Sequence, residues 1–257
     1  MNPRFCSVLA LSLAMASPAA ADVTTKQKMG GKGMGGMMTG EATQYVKGLK
    51  MRTDQTVSGK ATSTIIDAGG KQMIVIDHAK READVIDMST LAGSMSKVPI
   101  SEIKTTITPT GQTRQLAGST CAVYDVKVTV PMQMGNDGIS ISMAGPYCIV
   151  KNGPGHADYA ALYKAVAENG FLGDPRQAKA QPAQAKAMTE MYKKMAELGV
   201  PFATEMNITF EGAGPMAAMM SKMGGNSITS EVTSVTTDAI ADSVFEVPAG
   251  YKVNKRS

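Results

Sequence analysis

The chain is poor in the residues on which most catalytic and metal sites depend. Its 257 residues include no tryptophan, two histidines and three cysteines, and only 5% are aromatic. Zinc sites need three or four converging ligands, so two histidines far apart in sequence, His78 and His156, do not indicate one. No Gly-x-Ser-x-Gly motif marks a nucleophile, and no spacing of acidic residues marks an acid–base pair. The sequence therefore predicts no catalytic residue, no cofactor and no enzymatic activity.

A concentrated charge of one sign is also missing. Lys and Arg number 26 against 22 Asp and Glu, and the formal net charge is +4. The basic residues are scattered along the chain, with few aromatic residues among them. Surfaces that bind nucleic acid concentrate positive charge and stacking side chains, so a nucleic-acid partner is not expected.

The first 21 residues have the organisation of a secretory signal peptide. Arg4 supplies a positive charge, residues 8–16 form an apolar core, and residues 19–21 are small alanines before Asp22. The apolar core is too short to span a membrane, and the alternative is an uncleaved anchor. We expect cleavage after the alanines, a periplasmic location, and one domain over residues 22–257.

Two segments of alternating apolar and polar residues predict a β-hairpin between the two cysteines that follow the signal. Pairing the arms antiparallel places Val130 opposite Ile139 and Cys121 opposite Cys148, with residues 131–138 as the loop. Cysteines of an exported chain that face each other across a hairpin are expected to form a disulfide. The predicted disulfide is therefore Cys121–Cys148.

Alternating segments elsewhere predict an antiparallel meander interrupted by two helices. The helices are predicted over His156–Glu168 and Ala183–Leu198, each with one apolar stripe that should lie on the sheet. The predicted fold class is α+β, mostly β: a curved, open antiparallel sheet (a half-barrel) with the helices on its concave face. Besides the hairpin arms, the predicted strands are residues 23–29, 39–47, 49–57, 61–67, 72–77, 83–88, 103–109, 113–116, 203–210, 227–237 and 239–247.

Several phrases resemble the LolA/LolB-like superfamily of periplasmic lipoprotein carriers. They are residues 45–52 (YVKGLKMR), the hairpin pair 65–67 and 72–77 (IID and QMIVID), and residues 243–251 (SVFEVPAGY). Leu116-Ala117-Gly118 before Cys121 is similar to an uncharacterised branch of that superfamily. The resemblance covers roughly residues 39–252 and implies a half-barrel sheet, helices that plug its mouth, and an apolar cavity for acyl chains.

The expected function is that of a periplasmic, non-enzymatic carrier of a hydrophobic ligand. The expected ligand is a hydrophobic small molecule or lipid, such as lipid acyl chains or a lipoprotein. A membrane surface is a second expected partner. The sequence does not indicate the oligomeric state. The helix stripes supply the residues that we expect to line the cavity: Tyr159, Leu162, Tyr163, Met188, Met191 and Met195.

Methionine is unusually abundant, with 21 residues, and supports two interpretations. In the first, its flexible side chains line an adaptable apolar site. In the second, thioethers in two Met/Gly-rich loops, near residues 29–38 and 214–225, bind Cu(I) or Ag(I), because these ions prefer soft ligands. The candidate metal ligands of this alternative are Met34, Met37, Met38, Met216, Met219, Met220 and Met223.

Overall fold

The computed structural model describes residues 22–33, 36–88, 103–134, 137–169, 182–212, 218–219 and 226–256. Two helices, α1 (His156–Asn169) and α2 (Pro182–Leu198), and a 3-10 helix (Asp242–Phe245) accompany twelve strands. The strands are β1 Val23–Gly33, β2 Gly36–Lys47, β3 Lys50–Val57, β4 Lys60–Asp67, β5 Gln72–Asp77, β6 Glu82–Asp87, β7 Lys104–Leu116, β8 Ser119–Met134, β9 Asp137–Val150, β10 Val200–Gly212, β11 Asn226–Thr236 and β12 Lys252–Arg256.

All twelve strands belong to one open sheet, which confirms the predicted fold class. Their order is β12-β6-β5-β4-β3-β2-β1-β11-β10-β9-β8-β7. Neighbouring strands are antiparallel, except that β12 runs parallel to β6. Among the described residues, no helix is long and apolar enough to cross a membrane.

Both faces of the sheet are covered at strands β2 to β6. Ile65 and Ile66 are adjacent in β4, so they point to opposite faces, yet both are almost fully buried. Ile66 belongs to the core cluster of α1, whereas Ile65 packs with Ile240 and Phe245 of the C-terminal segment. The helices therefore lie on one face, and residues 237–251 cover the other.

The sheet bends sharply between β7 and β11. Arg114 of β7 donates to the carboxylate of Glu231 in β11 at 2.8 Å, although three strands lie between them. In a flat sheet these strands would be about 19 Å apart, which is more than an arginine and a glutamate side chain span together. The ion pair therefore requires curvature of the kind that the sequence predicts.

The expectation of a loop over residues 29–38 is wrong. β1 and β2 continue through this region as a hairpin, with Gly33 paired to Gly36 and Gly31 paired to Met38. A Cβ at Gly31 would overlap the carbonyl oxygen of Ser227 in β11. Glycine is needed here for close approach between strands rather than for flexibility, which the Gly-rich composition alone does not reveal.

The hairpin of the two cysteines forms, but its predicted register is wrong by two residues. Val130 pairs with Ile141 instead of Ile139, and Cys148 pairs with Val123 instead of Cys121. A shift of two keeps every side chain on its predicted face, so the hydrophobic pattern does not distinguish the two registers. The predicted loop is also too long, because β8 and β9 extend to Met134 and Asp137.

The disulfide is compatible with the observed register because the two cysteines are diagonal neighbours. The bond joins Cys121 and Cys148, whose Cα atoms are 5.3 Å apart. That separation lies within the usual range for disulfides. The prediction of the bond is confirmed, although the direct pairing from which it was argued is not present.

The predicted last strand over residues 239–247 is also wrong. Residues 242–245 form the 3-10 helix, and the terminal strand is β12. Phe245 and Ile240 are buried against the sheet, while the side chain of Arg52 donates to the carbonyl oxygen of Val244 at 2.7 Å. Long-range contacts therefore hold this segment in place. It pairs with no strand of the sheet before Lys252.

Candidate functional site

Strands β7 to β10 present a broad apolar face to helix α2. Cross-strand pairing places Thr105, Val128, Met143 and Ile208 in one row. A second row contains Val130, Ile141 and Phe210. Because paired residues share a face, the alternating apolar positions of four strands combine into one continuous surface.

Helix α2 packs on this surface through Ala187, Met191 and Met195. These positions are four residues apart, so they form a single stripe on the helix. Met191 and Met195 are 0% and 1% exposed, and their cluster includes Val128, Met143 and Ile149 of the sheet. The structure thus buries two of the predicted cavity residues in a packed core.

The apolar face extends beyond the helix. Side chains that are only partly buried surround the contact between α2 and the sheet: Ile103, Ile107, Tyr124, Leu198, Met206, Ile208 and Phe210. An α-helix with its side chains is about 10 Å wide, whereas four strands span about 14 Å between their axes. Apolar surface is therefore left half-covered beside α2.

Helix α1 forms a second core cluster, with residues of β1 to β5 and of one part of β8 to β11. Tyr159, Leu162 and Tyr163 belong to this cluster, so the predicted cavity residues are divided between two packed regions. The hydroxyl of Tyr159 donates to Gln44 Oε1 at 2.7 Å, and burial raises the pKa of Tyr159. Met188 lies in α2, but its side chain is outside the described part of the chain. Lining of a ligand cavity by these residues stays a prediction.

Two open grooves on the described surface lie away from these residues. One, of about 320 Å³, is lined by Lys28, Arg114, Glu205 and Glu231 among others. The other, of about 220 Å³, lies beside His78. Their linings contain none of the predicted cavity residues, and their polar side chains do not suit an acyl chain.

His78 belongs to a chain of hydrogen bonds that joins the sheet to the C-terminal segment. Its Nε2 lies 2.7 Å from Ser63 Oγ, and its Nδ1 lies 2.9 Å from the hydroxyl of Tyr251. Ser63 Oγ donates in turn to Asp54 at 2.5 Å, and Arg52 donates to the same carboxylate at 2.6 Å. Sequence analysis missed this network, because its ends are far apart in the chain and no spacing links them.

The direction of these hydrogen bonds does not suit Ser63 as a nucleophile. Its proton goes to Asp54, so His78 Nε2 donates to Ser63 Oγ instead of accepting from it. A Ser–His pair for acyl transfer needs the opposite direction. Ser63 is also fully buried. The network therefore anchors residues 244–251 on the sheet.

His156 has a structural contact as well. Its Nε2 lies 3.0 Å from the carbonyl oxygen of Ala196, which ties the start of α1 to the end of α2. Within the described ranges, no three His, Cys, Asp or Glu side chains come close enough to hold a metal ion.

Met37 and the start of β11 lie at the same end of the sheet. Met37 pairs with Lys32, which pairs on its other side with Ser227 at the start of β11. The second segment, residues 214–225, leads directly into β11. Sequence alone leaves this arrangement open, and the order of the strands supplies it.

Strand geometry nevertheless separates the first methionines from each other. Met37 and Met38 are consecutive in β2, so they point to opposite faces. Met37 is 77% exposed, whereas Met38 packs near Gly33. Met219 is 52% exposed. Met34, Met216, Met220 and Met223 lie outside the described residues.

Comparisons with known proteins show no established family. No protein-family model and no curated protein matches the chain. Among similar solved structures, an uncharacterized conserved protein from Thermus thermophilus is 9% identical, with a TM-score of 0.41, covering 93% of this chain and 92% of that one.

Two other structures show a similar level of likeness. A putative outer membrane lipoprotein-sorting protein domain from Vibrio parahaemolyticus is 8% identical, with a TM-score of 0.33, and 89% of this chain and 90% of that chain are covered. A structure of PNGF-II is 10% identical, with a TM-score of 0.37, covering 92% of this chain but 32% of that one. These values describe distant similarity and give no functional assignment.

Proposed function

We propose that the protein is an exported, non-enzymatic carrier of a hydrophobic ligand with an acyl chain. The ligand binds on the apolar face of β7 to β10, alongside α2. The observation that carries this proposal is the width of that face, because α2 alone leaves apolar side chains of β10 half-covered. A carrier role fits a surface that offers apolar contact and few polar groups for chemistry.

The methionines at this face suit such a ligand. Met143, Met191, Met195 and Met206 line the contact between α2 and the sheet. Methionine has three rotatable bonds and a polarizable sulfur, so it adapts to chains of different shape. An acyl chain beside α2 would extend this methionine-lined contact.

The disulfide and the signal-like N-terminal residues support the compartment that we propose. A disulfide is typical of proteins in oxidising compartments. With the signal-like residues 1–21 and the LolA/LolB-like phrases, it supports a periplasmic protein that receives its ligand from a membrane or a lipoprotein.

A charge placed beside α2 tests the site without disrupting the core. Ile208 and Phe210 are only partly buried, so Ile208→Glu and Phe210→Glu leave the fully buried stripe of α2 intact. We expect each to weaken binding of a fluorescent fatty acid at least tenfold, because the carboxylate loses hydration where the chain binds. The measurement is a fluorescence titration, with thermal unfolding as a check on folding.

Asn207→Glu provides the matched control. Asn207 precedes Ile208 in the same strand, is exposed, and points to the opposite face. We expect it to bind the probe like the parent. A parent protein that does not bind the fatty acid, or a control that loses binding equally, would refute the proposed site.

The position of the exposed Met37, at the end of the sheet where β11 begins, favours a second candidate function, binding of Cu(I) or Ag(I). Thioethers are soft ligands that suit Cu(I). Met37→Leu and Met219→Leu remove the sulfur at two exposed positions and preserve apolar bulk. If both segments hold one ion, we expect each change to reduce Cu(I) affinity by a similar factor of about ten, measured by competition with a chromogenic chelator.

The two functions are separable in this experiment. Leucine at positions 37 and 219 should leave fatty-acid binding unchanged, since both side chains are exposed and neither belongs to the apolar cluster of α2 and the sheet. If the parent shows no Cu(I) binding in the titration, the metal function is dismissed.

A further inference from the structure

Asp158 is a buried carboxylate in the first turn of α1. Its residue is 7% exposed. Burial is the main cause that raises the pKa of Asp158, and the nearby charge of Asp22 raises it further. The N-terminus of a helix favours a negative charge, which partly offsets these costs. A cation beside Asp158 would stabilise its charged form.

Asp22 is held next to this turn. The following residue, Val23, packs so closely on Gly155, directly before α1, that a Cβ at Gly155 would overlap its side chain. The carboxylate of Asp22 accepts a hydrogen bond from the backbone N–H of Ile240 at 2.7 Å. Asp22 is thus fixed between the start of α1 and the C-terminal segment.

The cation nearest to Asp22 is already engaged elsewhere. Lys47 Nζ lies 3.8 Å from Asp22, but only 2.9 Å from Asp242, and it donates to the carbonyl oxygen of Ile240 at 2.7 Å. Among the described residues, the lysine beside Asp22 therefore binds mainly to a third carboxylate, that of Asp242. The cluster has an excess of negative charge.

We propose that removal of the signal peptide completes this cluster. Hydrolysis of the Ala21–Asp22 peptide bond adds water across the bond, leaving a carboxylate on Ala21 and an α-ammonium on Asp22. The new ammonium belongs to Asp22, which the packing of Val23 on Gly155 holds beside the first turn of α1, and it pairs with the buried carboxylate of Asp158 in that turn. The inference rests on the export step of the proposed function, with cleavage after Ala21.

The consequence is a fold that is more stable after processing than before it. In the precursor the nitrogen of Asp22 is a neutral amide, whereas a free α-amino group is largely protonated at neutral pH. Processing therefore supplies the missing positive charge without any change in sequence. It strengthens the existing contact between the start of β1 and α1 once the signal has been removed.

The test compares two N-termini in combination with Asp158→Asn. One chain begins at Asp22, and the other begins at Ser17, so that its ammonium is displaced by five residues. In the chain that begins at Asp22, we expect Asp158→Asn to lower Tm by about 2–4 °C, the shift for about 1 kcal/mol in a chain of this size. In the chain that begins at Ser17, the same change should leave Tm unchanged or raise it, because it removes a buried charge that no ammonium neutralises there.

The dependence on the N-terminus separates this pairing from a merely structural role. If Asp158→Asn shifts Tm equally in both chains, Asp158 does not pair with the ammonium and the inference is wrong. N-terminal sequencing of the exported protein provides the second criterion, and a start other than Asp22 also overturns it. Fatty-acid binding should be the same for both chains, so failure here leaves the proposed carrier function standing.

Discussion

Replacing both Cys121 and Cys148 by serine is expected to lower the free energy of unfolding by about 3.5 kcal/mol. The bond joins residues separated by 27 positions, and a closed loop of that length restricts the unfolded chain by about this amount in the chain-entropy model. Urea unfolding of the parent and the double variant measures the difference. Both cysteines are buried, so serine hydroxyls add a cost of desolvation.

Reduction of the parent protein provides the control for this experiment. Dithiothreitol removes the same constraint without changing a side chain, so its effect should account for most of the loss in the variant. The parent should show no reactive thiol in denaturant without reductant, once the signal with Cys6 is removed. Two thiols detected under those conditions would contradict the assigned bond.

The cysteine hairpin shows which information the sequence contains and which it lacks. Alternation places each residue of β8 and β9 on the correct face, since the side-chain period is two. The same pattern is compatible with registers two residues apart, and only the exact turn distinguishes them. The run Gly135-Asn136-Asp137-Gly138 is typical of a loop, whereas β9 already begins at Asp137.

The helices are easier to predict because their ends carry local signals. Pro182 stands at the first position of α2, where its missing N–H costs nothing, and Gly199 follows the last residue. The C-terminal segment has no such signal. Residues 242–245 take their conformation from contacts with distant residues, including the bond from Arg52 to Val244, which local patterns do not contain.

The candidate site is predictable only in part. The stripe of α2 correctly indicates that Met191 and Met195 face the sheet. How far one helix covers four strands determines the burial of the residues at this contact. It sets the complete burial of the two methionines and the partial burial of residues beside them, such as Ile208 and Phe210. The width of one helix relative to four strands matters only in tertiary packing, so a periodic pattern in a single segment does not reveal its effect.

Met191→Asp is expected to destabilise the protein by about 3–5 kcal/mol, because it leaves an uncompensated charge in a packed core. Met191 is 0% exposed and contacts the apolar face of β8 to β10. Met191→Leu keeps the bulk and apolarity, so its cost should stay below about 1.5 kcal/mol. Urea unfolding of the parent and both variants measures these values.

The comparison of these two variants also measures how firmly α2 packs on the sheet. If α2 packs as firmly as its burial indicates, the aspartate variant loses stability and fatty-acid binding together, whereas the leucine variant retains both. If the aspartate variant is as stable as the parent, the packing of α2 contributes little to the fold. The helix would then lift from β8 to β10 at low cost, exposing the rows that contain Met143 and Ile141. The stability of this one variant therefore measures the energetic cost of lifting α2, a movement that ligand binding at the half-covered surface beside the helix does not itself require.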